Sequence, residues 1–227
     1  MERPVKDAFA KKVEQAVYLI GCDHYDEQTY QLSKGPDPNH FEFKRVLYEA
    51  VQNHNPDLIA EEFHPELLKS RKRQSIALEA ASELRICHRF CDPSRAERRE
   101  LCIDVPRECF EELSDYDWYR HEIAHRTPVR ESFWIAQLRG DIRKKVIFIC
   151  GAMHIFTFKE PLAEMNVKVE VLVDFVSCHP SLTNEEEFRA LEDVLKNGFL
   201  PVTKDADPRC FCVRPRAECS AESGNLE

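Results

Sequence analysis

Short apolar runs alternate with longer amphipathic ones along this chain, a pattern that predicts an α/β domain with a largely parallel sheet flanked by helices. Residues 16–20 (AVYLI) open it as a strand. After a polar loop containing Gly35-Pro36-Asp37-Pro38, residues Phe43, Val46, Leu47, Ala50 and Val51 recur at helical spacing, and Asn55-Pro56 closes that helix. The second strand runs from Leu58 to Glu61 or Glu62. From 65 to about 86 the chain is rich in Leu, Ala, Glu, Lys and Arg and is expected to be one long helix on propensity. A short third strand covers 87–91. Asp92-Pro93-Ser94 ahead of RAERREL marks a helix start capped by Asp92 or Ser94, and two helical pieces follow with their break near Pro128. VIFIC at 146–150 is the clearest strand, being β-branched and aromatic with charge before it and glycine after. A further strand at 167–173 and a helix at 184–196 complete a single domain over 1–202, leaving a polar, Cys-containing tail at 203–227.

Composition narrows the function classes. With 43% hydrophobic and 32% charged residues the chain has material for a core and is neither a disordered nor a fibrous sequence. Acidic residues outnumber basic ones by 41 to 32, a net charge of −9, which argues against a broad nucleic-acid surface and for small-molecule or peptide partners. The apolar stretches 16–22 and 146–153 fall well short of the roughly 20 residues a membrane span requires. The charged start MERPVKDAFAKK lacks the apolar centre of a secretory signal, so a cytoplasmic location is expected. The ten cysteines are then mostly reduced thiols. Neither the Cys87/Cys91 pair around His88 nor the group Cys210, Cys212 and Cys219 has the paired CxxC spacing of a structural zinc site.

The chemistry concentrates in a short repeat, an apolar strand followed by Gly-x-x-His. It occurs as Gly21-Cys22-Asp23-His24 and again as Gly151-Ala152-Met153-His154; with six glycines and nine histidines in 227 residues, chance would supply fewer than one such pair. Glycine lets the chain turn as it leaves the strand, and the histidine then projects over the carboxyl edge of the sheet, where parallel α/β folds place their sites. The same edge receives Glu61 and Glu62 from the second strand and Asp92 from the third. Two imidazoles with one or two carboxylates suit a divalent ion such as Mn, Zn or Co, which lowers the pKa of a bound water for hydrolysis. Without a metal, the same groups make a His general base supported by Glu.

The paired GxxH motifs, the glutamates that end Pro56-Asp57-Leu58-Ile59-Ala60-Glu61-Glu62, and Arg130 in RESFWIAQL ahead of the second motif together resemble the TIKI/TraB/GumN group over about residues 16–175. That group belongs to a wider set with erythromycin esterase-like and ChaN-like proteins. The resemblance implies an α/β fold with its site at the sheet edge, and metal-dependent peptide hydrolysis, metal-free ester hydrolysis or haem binding according to branch. Carried over by position, it implies His24 and His154 as the site histidines and Glu62 or Glu61 as the site carboxylate; in the leading reading His24, His154 and Glu62 hold the ion, with Glu61 as base or outer-shell partner. The resemblance implies Arg130 as a binder of a substrate carboxylate or oxyanion, neutralising charge that develops there, and Asp92, at the same sheet edge as the glutamates, is expected to bind substrate. An exposed helical ion pair is the other reading of Arg130.

Two alternatives stand beside a metal-dependent hydrolase of peptide or ester bonds. One is a non-catalytic module that binds haem or a similar ligand in the same crevice. The other rests on His121-Glu122-Ile123-Ala124-His125, which matches the HExxH zinc-protease signature. Its surroundings depart from that signature: Pro128 and Glu131 stand where the extended form needs Gly and His, and Pro128 is expected to end the helix soon after His125. Cys22 and Cys150, each bordering a GxxH motif, are minor candidates for a thiol nucleophile. KSRKRQ and EELSDYDWY read as solvated faces.

Overall fold

The structure, a computed structural model, describes residues 15–22, 28–31, 35–36, 40–70, 72–103, 114–141 and 144–176. The expected helix at 184–196, the tail, and Asp23 and His24 of the first motif lie outside these residues. The chain divides into two compact units, one of residues 1–92 and 134–178 and one of residues 93–133 and 179–227.

In the first unit the chain runs β1 (Ala16–Cys22), β2 (Gln28–Gln31), β3 (Gly35–Pro36), α1 (His40–His54), β4 (Leu58–Glu61), α2 (Pro65–Ser70), β5 (Arg73–Ser75), α3 (Ile76–Leu84) and β6 (Cys87–Phe90). After the second unit it returns as β7 (Lys145–Gly151), α7 (His154–Ala163) and β8 (Lys168–Val176). Five strands form one sheet in the order β6-β4-β7-β1-β8, and every pairing in it is parallel. Strands covered on both faces carry near-continuous apolar runs, which is why AVYLI and VIFIC read so plainly as strands.

The pleat sorts those runs between two layers. Ala16, Tyr18, Ile20, Cys22, Ile59, Ile147 and Ile149 face Phe43, Leu47, Ala50 and Val51 of α1 and Ile76, Ala77, Ala80 and Ala81 of α3. On the opposite face Phe148 packs against Phe158 of α7 and against Trp134, with ring centroids 5.0 and 5.4 Å apart. The register sets Glu61 beside Ile149 and Phe90, and Cys22 beside Gly151, so the ends of β1, β4, β6 and β7 share one edge. Neighbouring strands send their helices to opposite faces, α1 and α3 after β1 and β4 but α7 after β7. That divergence is where open α/β sheets leave a crevice.

The stretch expected as one long helix is instead α2, β5 and α3. Lys72 takes a left-handed backbone with φ of 52°, β5 pairs antiparallel with β2, and the Ser75 hydroxyl accepts from Leu78 N–H at 3.0 Å to cap α3. Pairing with a distant strand and one strong cap outweigh the helix propensity of Lys, Arg and Gln.

In the second unit Ser94 caps α4 (Arg95–Glu100) through a reciprocal box, Glu97 N–H donating to Ser94 Oγ at 3.3 Å and Ser94 N–H to Glu97 Oε2 at 2.8 Å. Then α5 (Asp115–His121) passes through a π-helical turn at Glu122–Arg126 directly into α6 (Thr127–Leu138), whose residues from Trp134 onward belong to the first unit. Pro128 therefore ends no helix. It follows the π turn, which closes just before it with Thr127 N–H donating to Glu122 O. Among the described residues no helix is long and apolar enough to cross a membrane.

Candidate functional site

Two consecutive residues at the end of β4 deliver buried carboxylates to opposite faces of the sheet. Glu62 turns toward α7. Its Oε2 accepts from Gly151 N–H at 2.8 Å, and its Oε1 lies 3.5 Å from His154 Nε2. The backbone fixes this corner, with Glu62 N–H donating to Ile149 O at 2.9 Å and Ala152 N–H to Cys22 O at 3.2 Å. Both side chains are almost fully enclosed, Glu62 at 1% and His154 at 7% exposure. The His154 ring meets Trp134 edge to face at 4.7 Å, and Trp134 Nε1–H donates to Asp92 Oδ1 at 3.1 Å. Glu62, His154, Trp134 and Asp92 thus form a continuous buried row along the α7 face of the edge.

Glu61 turns toward α3 and joins different partners. Its Oε1 accepts from the Ser75 hydroxyl at 2.5 Å and lies 2.7 Å from His88 Nε2. His88 pairs with Ile59 across β4 and β6, which puts its ring on the same face as Glu61, and Phe90 supports it edge-on at 4.6 Å. The two glutamates therefore do not act as one unit of four oxygens. Each anchors its own polar cluster beside the crevice.

No protein-family model matches the chain, and neither a curated protein nor a solved structure matches it significantly.

The other expected residues are placed as follows. Asp92 is buried at 3% exposure beneath Trp134. Arg130 stands in the first half of α6, in the second unit. His24 lies outside the described residues, two positions beyond the end of β1. Among the described residues no three His, Cys, Asp or Glu side chains gather as a metal cage. The Glu62 and His154 pair still fits an ion: 3.5 Å is long for a hydrogen bond and close to the roughly 3.3 Å between two ligands of a tetrahedral ion with bonds near 2.0 Å.

The HExxH histidines lie together in the second unit, with ring centroids 4.8 Å apart. Burial pushes His121 down to about 4, with His125 and Arg126 adding to the effect, and burial also lowers His125. Glu122 is ion-paired with Arg126 one turn on, at 3.2 Å. Cys22, Cys87, Cys91, Cys102 and Cys150 are free thiols; Cys22 Sγ–H donates to Cys150 O at 3.6 Å, tying two buried strand ends together.

Sequence reading missed Ser75, His88 and Trp134. Ser75 carried a signal, a small hydroxyl residue just ahead of the apolar run IALEAA. The placement of His88 depended on strand register, which one chain's pattern does not define.

Proposed function

We propose that this protein is a metal-assisted hydrolase of peptide or ester bonds, working at the carboxyl edge of its parallel sheet. The observation that carries the reading is the pair Glu62 and His154: one carboxylate oxygen is pinned by Gly151 N–H and the other stands at ligand-to-ligand distance from His154 Nε2. Connectivity supports His24 as the third ligand, since it follows the last residue of β1 by two positions and Cys22 lies beside Gly151. The resemblance to the TIKI/TraB/GumN group accords with His24 and His154 and with Glu62 or Glu61 as the carboxylate.

Glu62 and His154, with His24, would hold a divalent ion, which would supply Lewis acidity and lower the pKa of water. Burial, Gly151 N–H and the Trp134 ring restrain the Glu62 and His154 side chains, so they would meet an ion without losing further freedom. Glu61, at the same edge but on the opposite face of the sheet, would act as the base that takes the proton of the attacking water and returns it to the leaving group.

Metal analysis by mass spectrometry, on protein purified without a histidine tag or chelator, tests the reading. Near-stoichiometric Mn, Zn or Co that is lost in a His24→Ala/His154→Ala variant is the expected result. A metal content that the double substitution leaves unchanged overturns it.

A further inference from the structure

The two oxygens of Glu61 are used unequally. The side chain is fully enclosed, Oε1 takes both the Ser75 hydroxyl and His88 Nε2, and Oε2 has no hydrogen-bond partner. A buried carboxylate oxygen without a donor is unfavourable, and folded proteins retain such atoms where a water, an ion or a substrate group completes them.

We propose that Ser75 and His88 are positioning residues that saturate Oε1 and thereby reserve Oε2 of Glu61 for the attacking water. The inference rests on the hydrolase reading, since it assigns the seat of that water. Three features of the fold support it. Ser75 is itself immobilised, donating to Glu61 while accepting from Leu78 N–H at the start of α3, so its direction is set by the helix cap. His88 packs edge-on against the Phe90 ring and has a side-chain exposure of only 8%. Backbone contact fixes the strand that carries Glu61, Cys91 N–H donating to Glu61 O at 2.9 Å. A carboxylate gripped at one oxygen by two donors from different elements has lost its rotation about the terminal bond, so its second oxygen keeps one orientation.

Two measurements separate this proposal from the reading beneath it. The first is the imidazole ¹⁵N spectrum of His88 in the full chain and in Glu61→Gln, which reports the contact without any substrate. A displaced His88 Nε2 resonance is expected, and an unmoved one overturns the proposal. The second is hydrolysis of p-nitrophenyl acetate by Mn-loaded protein. His88→Ala should lower kcat at least tenfold with KM unchanged, and His88→Gln, which restores a donor, should recover much of the loss. Equal loss in both variants, or a change confined to KM, overturns the positioning role. Ser75→Ala also removes a helix cap, so it is read only alongside its melting curve. If the unmodified protein hydrolyses neither this ester nor a fluorogenic peptide, the hydrolase reading fails and the reserved water fails with it; the ¹⁵N result then decides only whether Glu61 is gripped.

Discussion

Trp134 donates its indole N–H to Asp92 at 3.1 Å while the same ring braces His154 at 4.7 Å, so one side chain satisfies a buried carboxylate and orients a candidate ligand. The ring has no solvent exposure and also packs on Phe148 and Phe158. Trp134→Phe keeps an aromatic ring but withdraws a donor from Asp92, and should cost about 1–3 kcal/mol of stability. Trp134→Ala adds a cavity and should cost about 3–5 kcal/mol. Urea unfolding followed by circular dichroism measures both, and equal costs would show that packing alone matters at this position.

Glu62 is expected to behave differently as Gln and as Ala. The amide retains an oxygen for Gly151 N–H, so Glu62→Gln should weaken metal binding with little loss of stability. Glu62→Ala leaves a buried donor without its acceptor, at about 1–3 kcal/mol. Hydrogen exchange at the Gly151 amide reads the contact directly: faster in the Ala variant, near the parent rate in the Gln variant.

His121 makes stability depend on pH in a known direction. Its folded-state pKa is depressed to about 4 by burial, with His125 and Arg126 adding to it, below an unfolded value of 6.5. Between those values the unfolded chain binds the extra proton, so the stabilisation is complete above pH 6.5 and is lost as pH falls toward 4. The shift sets a ceiling of roughly 3 kcal/mol, and solvent screening around the neighbouring exposed His125 reduces the expected effect to about 1–2 kcal/mol. Thermal melts from pH 7 to 4 should fall less steeply in His121→Phe than in the parent protein. Parallel curves would rule out this residue as the source.

Thiol reactivity should divide along burial. Cys91 has no exposure, and burial pushes its thiol up to about 12, while Cys22 and Cys150 are enclosed in the sheet. Cys87 is exposed at the start of β6. Brief iodoacetamide treatment of the native protein at pH 8, followed by peptide mapping, should modify Cys87 and spare Cys22, Cys91 and Cys150. Labelling of Cys91 at the rate of Cys87 would contradict its enclosure.

The parallel sheet was legible because its strands are buried on both faces and carry unbroken apolar runs, as in VIFIC of β7 and the LIA that precedes Glu61 in β4. The carboxyl edge followed from that, bringing His154, Glu62 and Asp92 within one region. What escaped the sequence depended on partners far along the chain. Residues 65–86 contain good helix formers, and only the pairing of β5 with β2 converts Arg73–Ser75 into a strand. Pro128 looked like a helix terminator because its missing N–H was weighed without the π turn that precedes it. The sequence sends Glu61 and Glu62 to the same edge, but their separation onto two faces depends on where β4 ends.

That separation gives β4 a reading frame in space. Delete one residue between Asp57 and Ala60, and the strand would bring Glu62 to Ser75 and His88 while presenting Phe63 to Gly151 and His154. Insert one, and Glu61 would take the place beside Gly151 while Ala60 faced Ser75. Either change keeps one carboxylate at work and silences the other, so a single-residue shift in this strand exchanges which half of the edge is lost.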